Sequence, residues 1–264
     1  MKKIILSIVI ALITVSFSEV DAKVSSLNTA EIEKLVFERV NKERKEKGLH
    51  KLNYSQELER LARLHSANMM EHNFFSHVDH NKMNVDERRK SYLPNLFLGA
   101  LGENIASLTG KDEKEVAKKL VSQWMGSEGH RENILNKKYS HIGVGITQKG
   151  NRFYATQVFG DLIAVFVTLL PEVVPFGSEQ KLEFKFLGRF PKDKLTISVH
   201  FPDKTARFYT KGRSYLVGRG RYEPLWAGDH FRVRIKFDKG RGWYKINLGR
   251  YGAYYPDGLN ILVK

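Results

Sequence analysis

The chain has 264 residues, 42% of them hydrophobic, with no cysteine and a net charge of +15 from 44 Lys and Arg against 29 Asp and Glu. That length supports one or two ordinary hydrophobic cores, while the absence of cysteine excludes disulfide staples, a cysteine nucleophile and a lipid anchor at a lipobox cysteine. The charge is uneven, with 23 basic and 17 acidic residues over 23–160 but 19 and 10 over 161–264, so the shorter C-terminal part is the more basic.

Lys2 and Lys3 precede an apolar run from Ile4 to Val15, followed by Val20, Asp21 and Ala22. This reads as a signal peptide over 1–22 with the mature chain starting at Lys23; the apolar stretch is short for the roughly 20 residues that span a bilayer. The expected destination is secreted or periplasmic, not a lipoprotein, with no transmembrane span after cleavage. Asn28 or Thr29 caps a helix with Ile32, Leu35, Val36 and Val40 on one stripe, and Gly48 stops it. Ser55 caps a second helix with Leu58, Leu61, Ala62, His65 and Met69 on one face. His65 therefore points with the core, where a hydrogen-bonded histidine is the expectation.

Three segments then concentrate the polar chemistry: Phe74-Phe75-Ser76-His77, Gly102-Glu103-Asn104-Ile105-Ala106, and Gly129-His130-Arg131-Glu132-Asn133-Ile134-Leu135. Each sits beside a glycine or an aromatic, where a turn at the edge of a core is expected, and together they offer two imidazoles and a carboxylate. Between the last two, a helix is expected over about 112–125 with Val116, Ala117, Leu120, Val121 and Trp124 inward. Residues 142–147 and 153–159 alternate as two strands joined by Lys149, Gly150 and Asn151.

The order of these motifs, with Ile142-Gly143-Val144-Gly145 behind them, resembles the CAP superfamily of cysteine-rich secretory, antigen 5 and pathogenesis-related 1 proteins, in its compact bacterial form, over about residues 31–160. The resemblance implies an α+β fold with an α-β-α sandwich, and a cleft lined by two histidines and two acids. It places His77, Glu103 and His130 on three of those four positions. For the fourth, many members carry Glu three residues after the helix tryptophan, where this chain has Ser127 after Trp124. Glu128 and Asp79 are the candidates in its place. Two imidazoles, here His77 and His130, with one carboxylate and a water can form a zinc site, so a divalent metal, zinc first, is the expected cofactor. Arg131 and Asn133 read as structural.

No Gly-x-Ser-x-Gly turn and no His-Glu-x-x-His helix occurs, and Ser76 beside His77 on an extended segment would point the other way. Two functions compete: an extracellular interaction or ligand-binding module, and a metal-dependent hydrolase of peptide or cell-wall substrates.

Leu162 to Leu170 is an apolar run ended by Pro171, read as a linker or buried strand over 163–171 between a first domain at 23–162 and a second at 172–264. Beyond it, seven short strands are expected near 182–186, 195–201, 206–209, 215–217, 231–237, 243–248 and 259–263. Their spacing suggests an all-β sandwich of immunoglobulin or fibronectin III kind. Asp238 to Gly242 reads as a hairpin turn. Arg232, Arg234 and Lys236 alternate with Phe231, Val233, Ile235 and Phe237, giving a basic solvent face. That face is the expected contact with an anionic partner, whether surface polymer, lipid headgroup or host or cell-surface component; nucleic acid is not expected outside the cell. Tyr222, Trp226, Tyr251, Tyr254 and Tyr255 offer carbohydrate contacts or, more simply, corner packing.

Overall fold

A computed structural model describes residues 26–210 and 214–264; the leader expected over 1–22 lies outside the described residues. Helix α1 (Thr29–Glu46) starts where the Asn28 side chain accepts from the Glu31 N–H at 3.2 Å and stops before Gly48, whose φ of 66° suits a residue without a Cβ. After the short strand β1 (Asn53–Tyr54), α2 (Gln56–Glu71) begins at Ser55, whose hydroxyl accepts from the Leu58 N–H. Next come α3 (Val85–Tyr92), β2 (Leu96–Thr109), α4 (Glu113–Gly126) capped by Asp112, α5 (Glu128–Leu135), β3 (His141–Lys149) and β4 (Arg152–Phe166).

These elements form three layers. Strands β2, β4, β3 and β1 make the middle one, with β2 and β3 antiparallel to β4 and β1 parallel to β3. On one face Ile142, Val144, Ile146, Phe153 and Phe159 pack with Ile32, Val36 and Val40 of α1 and Leu120 and Trp124 of α4. On the other, Leu58, Leu61 and Ala62 of α2 meet Val158, Leu162 and Leu98. Gly143 and Gly145 make that second contact possible: a Cβ on either would collide with the α2 backbone at Leu58–Glu59 or Ala62–Arg63.

Strand β4 does not end with this first sandwich. Ala164, Val165 and Phe166 pair with Phe186, Lys185 and Phe184 of β5 (Glu179–Phe186), so the sheet continues into the C-terminal part. There β6 (Leu195–His200), β7 (Arg207–Tyr209), β8 (Tyr215–Val217), β9 (Arg219–Tyr222), β10 (Leu225–Ala227), β11 (His230–Lys236), β12 (Gly242–Arg250), β13 (Ala253–Tyr254) and β14 (Leu259–Val263) complete an all-β sandwich. One layer is β5, β11 and β10, continuous with β4; the other runs β13-β12-β6-β9, with β14 also on β12. Phe184, Phe231, Val233 and Ile235 face Ile197, Val199, Tyr244 and Ile246 across the core, which also takes in Phe97 of β2 and Ile163 and Phe166 of β4. The fold is α+β with a C-terminal all-β region, as the sequence indicates.

Four local expectations need correction. Gly102 to Ala106 is not a turn; it lies inside β2, with Glu103 opposite Val158. Residues 128–135 are an eight-residue helix, where the sequence suggests a turn around Glu128. Asp238 to Gly242 does not close a hairpin, because β11 pairs with β5 and β10 while β12 pairs with β6, β13 and β14. The segment carries the chain from one layer to the other, with Gly240 and Gly242 at φ of 99° and 121° and the Lys239 N–H donating to the Tyr244 hydroxyl. Finally, strand structure stops at Phe166, and the rest of the apolar run leaves Leu169 98% exposed. Among the described residues no helix is long and apolar enough to cross a membrane.

Candidate functional site

Glu103 projects from the middle of β2, 7% exposed, between two partners. Its Oε1 accepts from Nδ1 of His77 at 2.9 Å, and its Oε2 is ion-paired with the buried guanidinium of Arg88. His77 lies in the segment between α2 and α3, and its side chain is half exposed. That segment is pinned at several points. The His65 ring holds the Ser76 carbonyl at 2.9 Å, and Arg88 donates to the carbonyls of His77 at 3.0 Å and Met83 at 2.8 Å. Asp79 is buried, and its Oδ1 accepts from the Met83 N–H at 2.9 Å.

His130 stands in the first turns of α5. Its Nδ1 is buried without a hydrogen-bond partner, and burial followed by the nearby charge of His77 lowers its pKa. The two other motif segments are strapped together by asparagines. Asn104 donates to the His130 carbonyl at 3.0 Å and to Gln157 at 3.1 Å; Asn133 donates to Asn104 at 2.9 Å and to the Glu103 carbonyl at 3.2 Å. Trp124 donates from its indole N–H to the Ile105 carbonyl at 3.0 Å, and Arg131 donates to the Met125 carbonyl. Gly102 is required here because a Cβ would strike the Tyr139 hydroxyl. The recurrent Asn and Gly of these motifs thus fix the backbone on which Glu103 and His130 ride.

The structure brings His77 and Glu103 into contact and sets His130 within reach of the charge on His77. Glu128 is exposed in the first turn of α5, with no ion pair among the described residues. Asp79 braces its own segment. His65 is fully buried, 3.9 Å from Glu103 Oε1, with its pKa lowered chiefly by burial. Arg88 is not visible as a site residue in the sequence, because α3 is polar all round. Its signal is the capping box at Asn84 and Glu87, which marks a helix start just upstream. Among the described residues no set of three or more His, Asp or Glu side chains is disposed to hold one metal ion. A cavity of about 510 Å³ lies between α1 and residues 51–54 and shares no residue with this cluster.

Of the candidate surface residues, Arg232, Arg234 and Lys236 are exposed on β11. They do not stand alone: β5 places Glu183, Lys181 and Glu179 opposite them, and Arg232 pairs with Glu183 at 2.9 Å. Lys236 lies 3.5 Å from Asp238. Tyr222, Trp226 and Tyr255 pack against the second core, while Tyr251 is exposed.

Residues 37–165 match the profile of the cysteine-rich secretory protein family, CAP. The uncharacterized Bacillus subtilis protein YkwD is 38% identical over 119 residues, which is 45% of this chain and 44% of YkwD, so the likeness spans less than half of that relative. An outer surface protein of Borrelia burgdorferi is 20% identical with a TM-score of 0.45, covering 52% of this chain and 96% of its own. An extracellular SCP-domain protein of Bacillus anthracis is 28% identical with a TM-score of 0.43, covering 50% of this chain and 40% of its own. Residues 37–165, which carry the histidine cluster and the interlocked asparagines, are a domain of the cysteine-rich secretory protein family.

Proposed function

We propose that this is a secreted ligand-binding module whose His77 and His130 imidazoles take one divalent cation, zinc by preference, with the remaining positions left to water or to a ligand donor. One observation carries the reading: both oxygens of Glu103 are committed, one to His77 and one to Arg88. A carboxylate held in that way orients a ligand instead of being one. By accepting from Nδ1–H it fixes the His77 tautomer whose Nε2 lone pair is free, the arrangement by which carboxylates support metal-binding histidines. The unpartnered buried Nδ1 of His130 fits as the second donor. When bound, the cation would supply Lewis acidity and a point of attachment for an anionic or carbonyl group.

The hydrolase reading is weaker on the same ground. Catalytic zinc is ordinarily held by three protein ligands with one open position, and neither Glu128 nor Asp79 is placed to be the third. Secretion is supported by the charged and apolar pattern of the N-terminal segment. Calorimetric zinc titration of the full chain tests the cleft. His77→Ala with His130→Ala should abolish binding, and Glu103→Gln should weaken it about 10–100-fold, as for other supporting carboxylates. Unchanged affinity in the double variant would overturn the proposal.

A further inference from the structure

The outer face of the second layer of the C-terminal sandwich collects positive charge without compensation. Lys245 on β12, His200 on β6 and Arg219 on β9 stand side by side in register, Lys245 opposite His200 and His200 opposite Arg219. Strands are about 4.8 Å apart, so the row is about 10 Å across. Arg221 continues it two residues along β9, on the same face, opposite Ser198. Trp243, two residues before Lys245 on β12, shares that face and is 61% exposed. Among the described residues none of Arg219, Arg221 and Lys245 is in an ion pair, and the groups that bear on His200 after its burial are Lys204, Arg219 and Lys245, all cationic. Asp257, a carboxylate that shares a cavity with Lys245, is already held by Arg89 and Lys90.

Burial and the surrounding cations hold the His200 ring below the ordinary histidine range, so the permanent charges of Lys245 and Arg219 flank a neutral imidazole with no carboxylate between them. The other layer offsets two of the three β11 cations with carboxylates, Glu183 against Arg232 and Glu179 against Lys236, and leaves only Arg234 facing a lysine, Lys181. We propose that the face formed by His200, Arg219, Arg221 and Lys245, with Trp243 beside them, binds an acidic polysaccharide. The cations meet its carboxylate or sulfate groups, and the exposed indole packs against a sugar ring. A membrane surface is the poorer match, because Trp243 is the one large apolar side chain exposed on β12, β6 and β9 among the described residues.

The test uses the full chain and heparin as probe. Arg219→Glu, Arg221→Glu and Lys245→Glu together should weaken heparin binding by roughly a hundredfold, taking each basic contact at an anionic surface as worth about fivefold. Arg232→Glu, Arg234→Glu and Lys236→Glu change the net charge equally and should leave affinity within a few-fold of wild type. Trp243 emission should shift on heparin addition and lose that shift in Trp243→Phe. The neutral set Arg219→Gln, Arg221→Gln and Lys245→Gln, with near-ultraviolet dichroism checked against wild type, separates lost contacts from lost folding. Equal weakening by both glutamate sets would overturn the proposal, since binding would then follow net charge alone. Binding to phosphatidylglycerol vesicles but not to heparin would overturn it as well.

Discussion

Up to residue 160 the protein buries Glu33, Arg44, His65, Arg88, Glu103 and His141, whereas among the described residues beyond 172 the buried polar groups are Thr196, Ser198 and Asn247. The first domain therefore packs charged and titratable side chains in its interior, each held by at least one hydrogen-bond partner. Arg44 donates to the carbonyls of His50, Ile134 and Asn136, tying α1 to the end of α5, and burial pulls its pKa down to about 10. Glu33 is clamped by Arg63 and accepts from the Ile146 N–H at 2.9 Å. The second domain keeps its charge outside and fills its interior with stacked rings such as Phe184 and Phe231, whose centroids are 4.9 Å apart. A polar interior gives defined placement of a few side chains, which a binding cleft needs; an apolar interior supplies a stable slab, which a surface-contacting domain needs.

The largest effect that separates the two designs is expected at Arg88. Arg88→Ala leaves the Glu103 carboxylate buried beside an empty space and should cost about 3–5 kcal/mol of unfolding free energy. Arg88→Met combined with Glu103→Leu should recover most of that loss, because neither desolvated charge remains. Urea denaturation at pH 7 reads both. A small loss in the single variant would mean that water reaches Glu103 and that the polar interior is not dry.

Acid should act next. His141 is buried beside Ser140, and burial, then the charge of Arg189, lowers its pKa from 6.5 to about 4. Above pH 6.5 the ring is neutral in both folded and unfolded chains and costs nothing. As pH falls from 6.5 towards 4 the unfolded chain takes up a proton that the folded one refuses, so stability drops by about 3 kcal/mol across that window and then levels. His65 is pushed in the same direction by burial. His141→Gln should flatten the pH dependence; an unaltered slope would show that other groups carry it.

The sequence discloses these regions unequally, and for physical reasons. Helices α1, α2 and α4 carry an apolar stripe with a side-chain cap, and the seven strands read from alternation in the C-terminal part correspond to β5, β6, β7, β8, β11, β12 and β14. Helix α3 has no stripe, because its inward residues are Arg88 and Arg89. Strand β2 is hidden for a related reason: Gly102, Glu103 and Asn104 interrupt its apolar alternation with the groups that build the site. Pairing is harder still. Gly240 and Gly242 signal a change of direction but not whether the chain returns to its own sheet or crosses to the next, and only the finished sandwich decides that. His77, Glu103 and His130 are named through family resemblance, since no local spacing relates three residues on a loop, a strand and a helix.

A smaller effect is expected at the seam between the halves. Arg89 is buried and bridges Asp86, at 2.9 Å, to Asp257 in the segment before β14. Asp257→Ala leaves Asp86 in place, so the loss should be about 1–2 kcal/mol, the lower part of the range for a buried group deprived of one partner. Unfolding should stay a single calorimetric transition in this variant, because β4 contributes Phe159 to the first core and Ile163 and Phe166 to the second. Two transitions would show that the shared strand does not couple the cores.

The smallest effect is expected on the second domain's surface, where the two faces should respond differently. Arg232 and Glu183 form a 2.9 Å ion pair in water, with the arginine side chain about half exposed. Their attraction is screened and is offset by the freedom lost in holding two long side chains together. Arg232→Ala should therefore leave the urea midpoint unchanged. Arg219 has no such partner among the described residues; its neighbour across the ladder is His200, with Lys245 beyond. Removing one of several like charges relieves repulsion, so Arg219→Ala should raise the midpoint slightly at low salt and lose that advantage near 1 M, where the Debye length is about 3 Å. A lower midpoint for Arg219→Ala would mean that the arginine is stabilising where it stands, and the uncompensated face would then be explained by folding without any partner.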